Sequence, residues 1–123
     1  MEKIEMEYNM NVSPRILFIR LSTADGMAEW FADEVNVNEN VFTFIWNGAE
    51  QKAEQLKSKK EEFVQYQWLD GDEDTYFEFK LQKDELTGEL ALIITDFAEP
   101  NELEDARNLW DSHISHLKHI LGM

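Results

Sequence analysis

Apolar and polar residues alternate along several short stretches of this chain, a pattern typical of strands with one buried face. The first is residues 3–10, where Ile4, Met6, Tyr8 and Met10 share one side. Further strands are predicted at residues 41–47, 61–70, 75–82 and 89–97, and a short one is predicted around residues 35–37. The connections at residues 70–74 and 84–88 have the composition and length of hairpin turns. The pattern therefore predicts an antiparallel sheet that is covered on one side only.

The last part of the chain has a different period and predicts one long helix over residues 102–121. Its apolar positions recur at steps of three and four and so share one face; they are Leu103, Ala106, Trp110, Ile114, Leu117 and Leu121. Asn101 is expected to cap its start, with Glu104 completing a capping box, and Gly122 is expected to end it. At about 1.5 Å per residue this helix would span roughly 30 Å, enough to cross a small domain.

Two short helices are predicted between the first strand and the rest of the sheet. Ser13 is a suitable N-cap with Pro14 at the first helical position. Residues 15–21 are mostly apolar, so this helix is expected to be largely covered. A second short helix is predicted over residues 24–31, carrying Met27, Trp30 and Phe31. Gly26 would weaken this helix and help the chain to turn sharply between the two.

Residues 50–60 give conflicting signals. They are rich in helix-forming residues, and Ala49, Ala53 and Leu56 have helical spacing. However, Gln51, Ala53 and Gln55 also alternate with charged or larger residues, and an antiparallel sheet needs a strand between its neighbours. We predict a strand, because tertiary context often overrides propensity.

Composition restricts the class of protein and its partners. The 123 residues are most simply one domain, and 11 basic against 26 acidic side chains give a net charge of −15. Such a surface would repel nucleic acid and anionic membranes. No cysteine is present, and the longest apolar run, residues 90–94, is far short of a membrane helix. With no apolar signal core at residues 1–5, these features predict a soluble, cytoplasmic protein without membrane insertion.

The candidate metal sites are weak. His113, His116 and His119 recur every three residues on the long helix, but such steps drift around the helix and no cysteine supports them. The acidic stretch 70–74 resembles a calcium loop only in charge, since its glycine is second and an EF-hand needs it sixth. We predict no metal and no cofactor, and interpret the histidines as solvated, with His113 the one that reaches a cavity.

The sequence offers little for catalysis. It has no nucleophile beside a base and no phosphate-binding glycine loop. Asp96 lies on the predicted inner face at the end of a strand, where a raised pKa would make it a general-base candidate. The alternative is a carboxylate that bonds nearby backbone donors as the strand leaves the core. We predict no catalytic residue and a protein that is not an enzyme.

Three stretches carry a resemblance to a known family: residues 13–18 leading into 21–23 and 27–31, residues 42–48, and Leu109–Trp110 with residues 116–118. With this order of elements, the chain resembles the START-like, or SRPBCC, helix-grip superfamily, and within it proteins similar to the activator of heat-shock-protein-90 ATPase. The resemblance implies an α+β helix-grip fold over a single domain, residues 1–123. A curved antiparallel sheet of six to seven strands would wrap around the long C-terminal helix, with two short helices after the first strand.

The resemblance also implies a cavity between sheet and helix that accepts a small apolar or amphipathic ligand, without catalysis. The candidate lining residues are Trp30, Trp46, Tyr66, Trp68, Phe79, Trp110, His113 and Leu117. The alternative is that most of these aromatic residues form core that fills the cavity, and that only the minority near its mouth contact a ligand. The alternative function is then a protein-interaction or co-chaperone-like adaptor domain, or a homodimer, with an exposed apolar patch around Leu109 and Ile120. Some members of the superfamily are cyclases or hydrolases, which makes an enzyme the third hypothesis.

Overall fold

The computed structural model describes all residues from 1 to 123 and contains seven strands and three helices. The strands are β1 (Glu2–Met10), β2 (Glu34–Asn38), β3 (Val41–Trp46), β4 (Ala49–Lys59), β5 (Phe63–Trp68), β6 (Phe77–Lys83) and β7 (Leu90–Ala98). The helices are α1 (Pro14–Ser22), α2 (Ala24–Met27) and α3 (Leu103–Ile120). The predicted helix-grip architecture is confirmed, with seven strands in the sheet.

All seven strands form one curved antiparallel sheet in the order β1-β7-β6-β5-β4-β3-β2. The chain runs from β2 to β7 through successive neighbours, and β1 closes the far side by pairing with β7 in register from Glu2↔Ala98 to Met10↔Leu90. Alternate residues of each strand point to the same side of the sheet, as the period of two requires, and the helices cover this inner face. The buried members of this inner face include Phe44, Tyr66, Phe79 and Ile94, each with 0% exposure.

The helix α3 packs its apolar stripe against this inner face. Trp110, Ile114 and Leu117 are buried, and Leu103, Ala106 and Leu121 pack at the margin of the core. The Tyr8 hydroxyl donates a 2.6 Å hydrogen bond to Asp111 and thereby ties α3 to the edge strand β1. No helix in the structure combines the length and the apolar composition needed to cross a bilayer.

The start of α3 differs from the prediction that Asn101 caps it. Pro100–Glu102 form a 3-10 turn, and α3 begins only at Leu103, so the chain is already helical at Asn101. Glu102 occupies the cap position, and no side chain caps the first turn. At the other end Gly122 has φ +77° and its N–H donates to the carbonyl of His119, so the predicted terminator is confirmed.

The helix α1 is capped by Ser13, whose hydroxyl accepts a 3.2 Å hydrogen bond from the backbone N–H of Ile16. The expectation that α1 is largely covered is wrong. Only Leu17 and Leu21 are buried, because one side of the helix faces the sheet, and Ile16 and Ile19 remain 46% and 43% exposed.

The helix α2 is four residues long and ends at Met27, so the prediction of a helix to residue 31 was wrong. Beyond it the chain turns and directs Trp30 and Phe31 into the core. Gly26 is needed for close approach, because a Cβ there would lie 2.2 Å from the carbonyl oxygen of Ile19. The absence of a side chain at Gly26 therefore lets α2 pack directly against α1. The sequence predicts a different role, in which Gly26 helps the chain to turn between the two helices.

The stretch with conflicting signals is the strand β4, as predicted. It pairs with β3 on one side and β5 on the other, with a bulge between Gln55 and Lys57. Ala53 is its one buried side chain, and Gln55 donates to the carbonyl of Ser22 and to the Tyr66 hydroxyl. The backbone ladders on both sides therefore decide the conformation of a segment whose side chains favour a helix.

Candidate functional site

A cleft of about 380 Å³ opens at one end of the sheet, where β3, β5 and β7 end beneath α3. It is lined by Phe31, Trp46, Gln51, Trp68, Asp96, Leu109, Trp110 and His113. Five of these residues are apolar, and the three polar ones come from two strands and the helix. An apolar cleft with a few converging polar groups is the usual form of a small-molecule site.

Aromatic rings in mutual contact form the walls of this cleft. The Phe31 ring stacks on Trp110 with centroids 5.7 Å apart and an interplanar angle of 20°. It also meets the edge of Trp46 at 5.4 Å, and Trp46 in turn lies 6.3 Å from Trp68. Such pairs contribute about 0.5–1.5 kcal/mol each beyond the area they bury, so the walls are preformed.

Two of the indoles are fixed by hydrogen bonds. Trp46 Nε1 donates to the carbonyl of Phe31 over 2.7 Å, and Trp110 Nε1 donates to Asp96 Oδ2 over 2.8 Å. Both donors are thereby satisfied within the protein, and neither N–H is free to bond a ligand.

Asp96 is the acidic group of the site and lies near the end of β7, opposite Ile4 of β1. Its Oδ1 accepts a hydrogen bond from the backbone N–H of Phe97 over 2.8 Å. Burial raises the pKa of the Asp96 carboxyl, and the hydrogen bonds from Trp110 and Phe97 lower it in part. The predicted inward direction and the predicted bond to a nearby backbone donor are both observed.

His113 is the basic group of the site. Its ring meets Trp30 at 6.3 Å and Trp110 at 5.7 Å, in both cases edge to face. Burial lowers the pKa of the imidazole, a hydrogen bond to the backbone of Trp30 raises it, and the nearby His116 lowers it. The net shift is downward, so the ring is neutral at pH 7.

The eight predicted lining residues fall into two groups in the structure. Trp46, Trp68, Trp110 and His113 line the cleft. The other four lie in the core away from it and are Trp30, Tyr66, Phe79 and Leu117, all no more than 3% exposed. Trp30 donates to the carbonyl of Arg20, and Tyr66 stacks on Phe77 at 4.9 Å.

Aromatic side chains therefore occupy the middle of the space between sheet and α3, and the open part is confined to one end. Tyr66 shows how this filling is fixed: its hydroxyl donates to the carbonyl of Leu21 over 2.7 Å, and burial raises its pKa. The interpretation of most of the aromatic residues as core fits this packing.

Four of the eight lining residues are not among those predicted to bind a ligand: Phe31, Gln51, Asp96 and Leu109. Asp96 is predicted only as a general-base candidate and Leu109 only as part of an exposed patch. Phe31 is predicted on a short helix, whereas its position under Trp110 depends on the turn after Met27. Gln51 pairs with Phe44 across β3 and β4, so its side chain lies on the inner face. The alternation of Gln51 with Ala53 predicts that both side chains share the inner face, but it does not predict that Gln51 lines a cleft.

Other hollows have a different character. The largest, about 690 Å³, lies at the opposite end between the β1–α1 loop, the β6–β7 hairpin and Met123, and most of its lining is polar. A further hollow of about 370 Å³ adjoins the cleft, shares Gln51, Trp68 and Asp96 with it, and includes Asp70 and Asp72. No group of three or more histidine, cysteine or acidic side chains has the arrangement of a metal site, and His116 and His119 are exposed.

The comparisons with known proteins agree with this architecture. A family model described as START-like superfamily domain matches residues 1–123. No curated protein matches the sequence. A solved structure from Bacteroides fragilis is similar at 38% sequence identity and a TM-score of 0.69, covering 99% of this chain and 92% of the other.

Two more distant structures share the fold. The Aha1 dimer from Colwellia psychrerythraea has 19% identity and a TM-score of 0.80, with 96% of this chain and 94% of the other covered. CalU16 from Micromonospora echinospora has 14% identity and a TM-score of 0.74, with 97% of this chain and 73% of the other covered. At these identities the likeness describes the fold alone.

Proposed function

The chain belongs to the START-like superfamily over its whole length, and from this premise we propose that it binds a small amphipathic molecule in the cleft beneath Trp110. The observation that supports the proposal best is the lining of the cleft. The rings of Phe31, Trp46 and Trp110 lie beside the polar groups of Asp96 and His113. Apolar walls supply affinity, and the few polar groups fix orientation.

The size of the cleft limits the ligand. About 380 Å³ lies at the lower end of the range for small-molecule sites, roughly 300–1,000 Å³. The packed rings of Tyr66 and Phe79 close the path toward the middle of the sheet. The ligand is therefore a compact molecule, smaller than a lipid with full acyl chains.

We propose binding without catalysis. The cleft contains no serine, threonine, cysteine or lysine that could act as a nucleophile. Its one carboxylate already accepts hydrogen bonds on both oxygens, from Trp110 and Phe97. Its one imidazole is neutral and held against the Trp30 backbone. These groups are arranged to orient a ligand.

Thermal unfolding in the presence of small indoles, phenols, amines and short-chain acids tests the proposal. A ligand that binds only the folded state raises the melting temperature, and above Kd the stabilisation grows with the logarithm of the ligand concentration. The variant Gln51→Phe places a ring in the cleft and should abolish the shift, whereas Gln82→Phe, exposed on β6 outside the cleft, should retain it. The proposal is wrong if no compound shifts the protein, or if Gln51→Phe responds like the parent.

A homodimer is the second candidate, and the exposure of Leu109 favours it. This side chain is 59% exposed on α3 at the rim of the cleft. The Colwellia psychrerythraea protein was solved as a dimer. Sedimentation equilibrium should then show a concentration-dependent dimer that Leu109→Glu disrupts and Leu86→Glu, a 97% exposed site on the distant hairpin, does not. A monomer at all concentrations would exclude it.

A further inference from the structure

We propose that the ligand is an organic cation, a compact quaternary or protonated amine, seated on the Trp46, Trp68 and Trp110 rings with its charge beside Asp96; this inference rests on the proposed function of the same cleft. It assigns a chemical class of ligand to the site. The supporting observations are a partly buried carboxylate without a cationic partner, aromatic walls, and the excess of acidic side chains around the opening.

The carboxylate of Asp96 has no cationic partner. The two ion pairs of the molecule, Arg20–Glu29 and Lys59–Glu62, lie elsewhere, and no lysine or arginine lines the cleft. Buried charges in proteins are normally paired, because the loss of hydration is otherwise uncompensated. The hydrogen bonds from Trp110 and Phe97 offset that loss only in part, since burial still raises the pKa of Asp96. A bound cation would supply the missing partner.

The walls suit the same ligand. Cations are attracted to the face of an aromatic ring within about 6 Å of its centroid, and tryptophan is the strongest partner. Three of the four tryptophans of the chain line this one cleft. The indole N–H groups of Trp46 and Trp110 are bonded inside the protein, so a ligand meets the π-systems of these rings where Phe44 and Phe31 leave them uncovered.

The surrounding charge favours the approach of a cation. The hollow that adjoins the cleft adds Asp70 and Asp72 to Asp96, against the N-terminal residue Met1, and the protein as a whole has a net charge of −15. Walls of low dielectric constant focus the negative electrostatic potential at the opening of the cleft, which raises the local concentration of cations. His113, the one basic group of the lining, is neutral at pH 7 because burial lowers its pKa, so it does not oppose a cation.

A matched pair of probes separates charge from shape. Choline and 3,3-dimethylbutan-1-ol have the same outline, with a quaternary nitrogen in one and a carbon in the other. Titration of each into the protein at constant ionic strength, followed by amide and indole NMR shifts, gives the two dissociation constants. We expect choline to bind at least about tenfold more tightly, the scale of a partly desolvated cation–π contact with a nearby carboxylate.

Two substitutions locate the charge that matters. Asp96→Asn removes the negative charge and keeps the size of the side chain, and it should remove the preference for choline over the neutral probe. Glu85→Gln changes the net charge equally on the exposed β6–β7 hairpin at the opposite end, and it should leave the preference intact. Thermal unfolding of both variants confirms that they fold.

The possible results distinguish the cationic nature of the ligand from the ligand-binding function itself. Preference for choline that Asp96→Asn abolishes supports the inference. The inference of a cationic ligand is overturned if the neutral probe binds as tightly as choline or more tightly. It is also overturned if, among the compounds of the thermal unfolding test, only anionic or neutral ones raise the melting temperature. In both cases the proposed ligand-binding function still stands. The absence of any response overturns both. A choline preference that both variants retain would show that only the general negative charge attracts the cation, which also contradicts the inference.

Discussion

Trp110 of α3 donates its indole N–H to Oδ2 of Asp96 on β7 over 2.8 Å, and the two side chains line the same cleft. One bond therefore joins the last strand to the last helix and also sets the position of the acidic group of the site. Stability and ligand binding are expected to depend on it together.

Replacement of Trp110 by phenylalanine keeps a ring in the core but removes the donor. The partly buried carboxylate of Asp96 then loses a partner, and we expect the free energy of unfolding to fall by about 1–3 kcal/mol. Urea unfolding measures the change. The neighbouring Leu109→Ala, at a largely exposed site, should alter stability by no more than about 0.5 kcal/mol. Equal effects of the two would contradict the role given to the bond.

Tyr66→Phe tests the buried hydroxyl beneath α1. The hydroxyl donates to the carbonyl of Leu21 and accepts from Gln55, so its removal leaves buried polar groups unpaired. We expect a loss of about 1–3 kcal/mol in the free energy of unfolding. Tyr76→Phe, which removes a hydroxyl without a hydrogen bond inside the protein, should be nearly neutral. A stable Tyr66→Phe protein would show that water replaces the hydroxyl.

Gly26→Ala tests the contact between α1 and α2. The added Cβ would lie 2.2 Å from the Ile19 carbonyl oxygen and 2.8 Å from Arg20 Cα, so backbone must move. We expect a loss of at least about 2 kcal/mol, within the range of overpacked sites. Gly71→Ala meets nothing closer than 3.4 Å and serves as the control. Equal melting temperatures for the two variants would exclude the close approach.

His113 should make stability fall in mildly acidic solution. Its pKa in the folded protein is lower than the value of about 6.5 expected when unfolded, so the unfolded chain takes up its proton first. Stability is then lost as pH falls below about 6.5. Asp96 has the opposite effect on stability at lower pH. Its pKa is raised in the folded protein, so the folded state takes up this proton before the unfolded chain does, and stability rises as pH falls.

Urea unfolding between pH 5 and 8 measures this dependence. His113→Phe should reduce the loss of stability below about pH 6.5, whereas the exposed His116→Gln should retain most of it. An identical pH profile for His113→Phe and the parent would show that the imidazole titrates in the fold as it does in the unfolded chain.

Most of the fold was predictable because periodicity reports which face of an element is buried. The alternation at Phe42, Phe44 and Trp46 and the helical steps from Trp110 to Leu117 specify two complementary surfaces. Apart from the exposure of α1, the errors lie at helix ends. The length of α2 and the start of α3 depend on a turn at residues 28–31 and on the 3-10 turn at Pro100, which tertiary packing decides.

The site was predictable only in part. Periodicity placed Trp46, Tyr66, Trp68 and Phe79 on the inner face but could not tell which of them other rings cover. That distinction depends on sheet curvature and on the entry of Phe31 beneath Trp110, both of which arise from contacts between residues distant in sequence. The unpaired state of the Asp96 charge is likewise visible only once its neighbours are known.

The four indole N–H signals of the protein provide the most direct test of the account. In a proton–nitrogen NMR titration with any compound that raises the melting temperature, the signals of Trp46, Trp68 and Trp110 should shift. The signal of Trp30, which is 3% exposed and bonded to the Arg20 carbonyl, should stay in place. Shifts confined to Trp30, or no indole shift with a bound ligand, would place the binding site elsewhere and contradict the account.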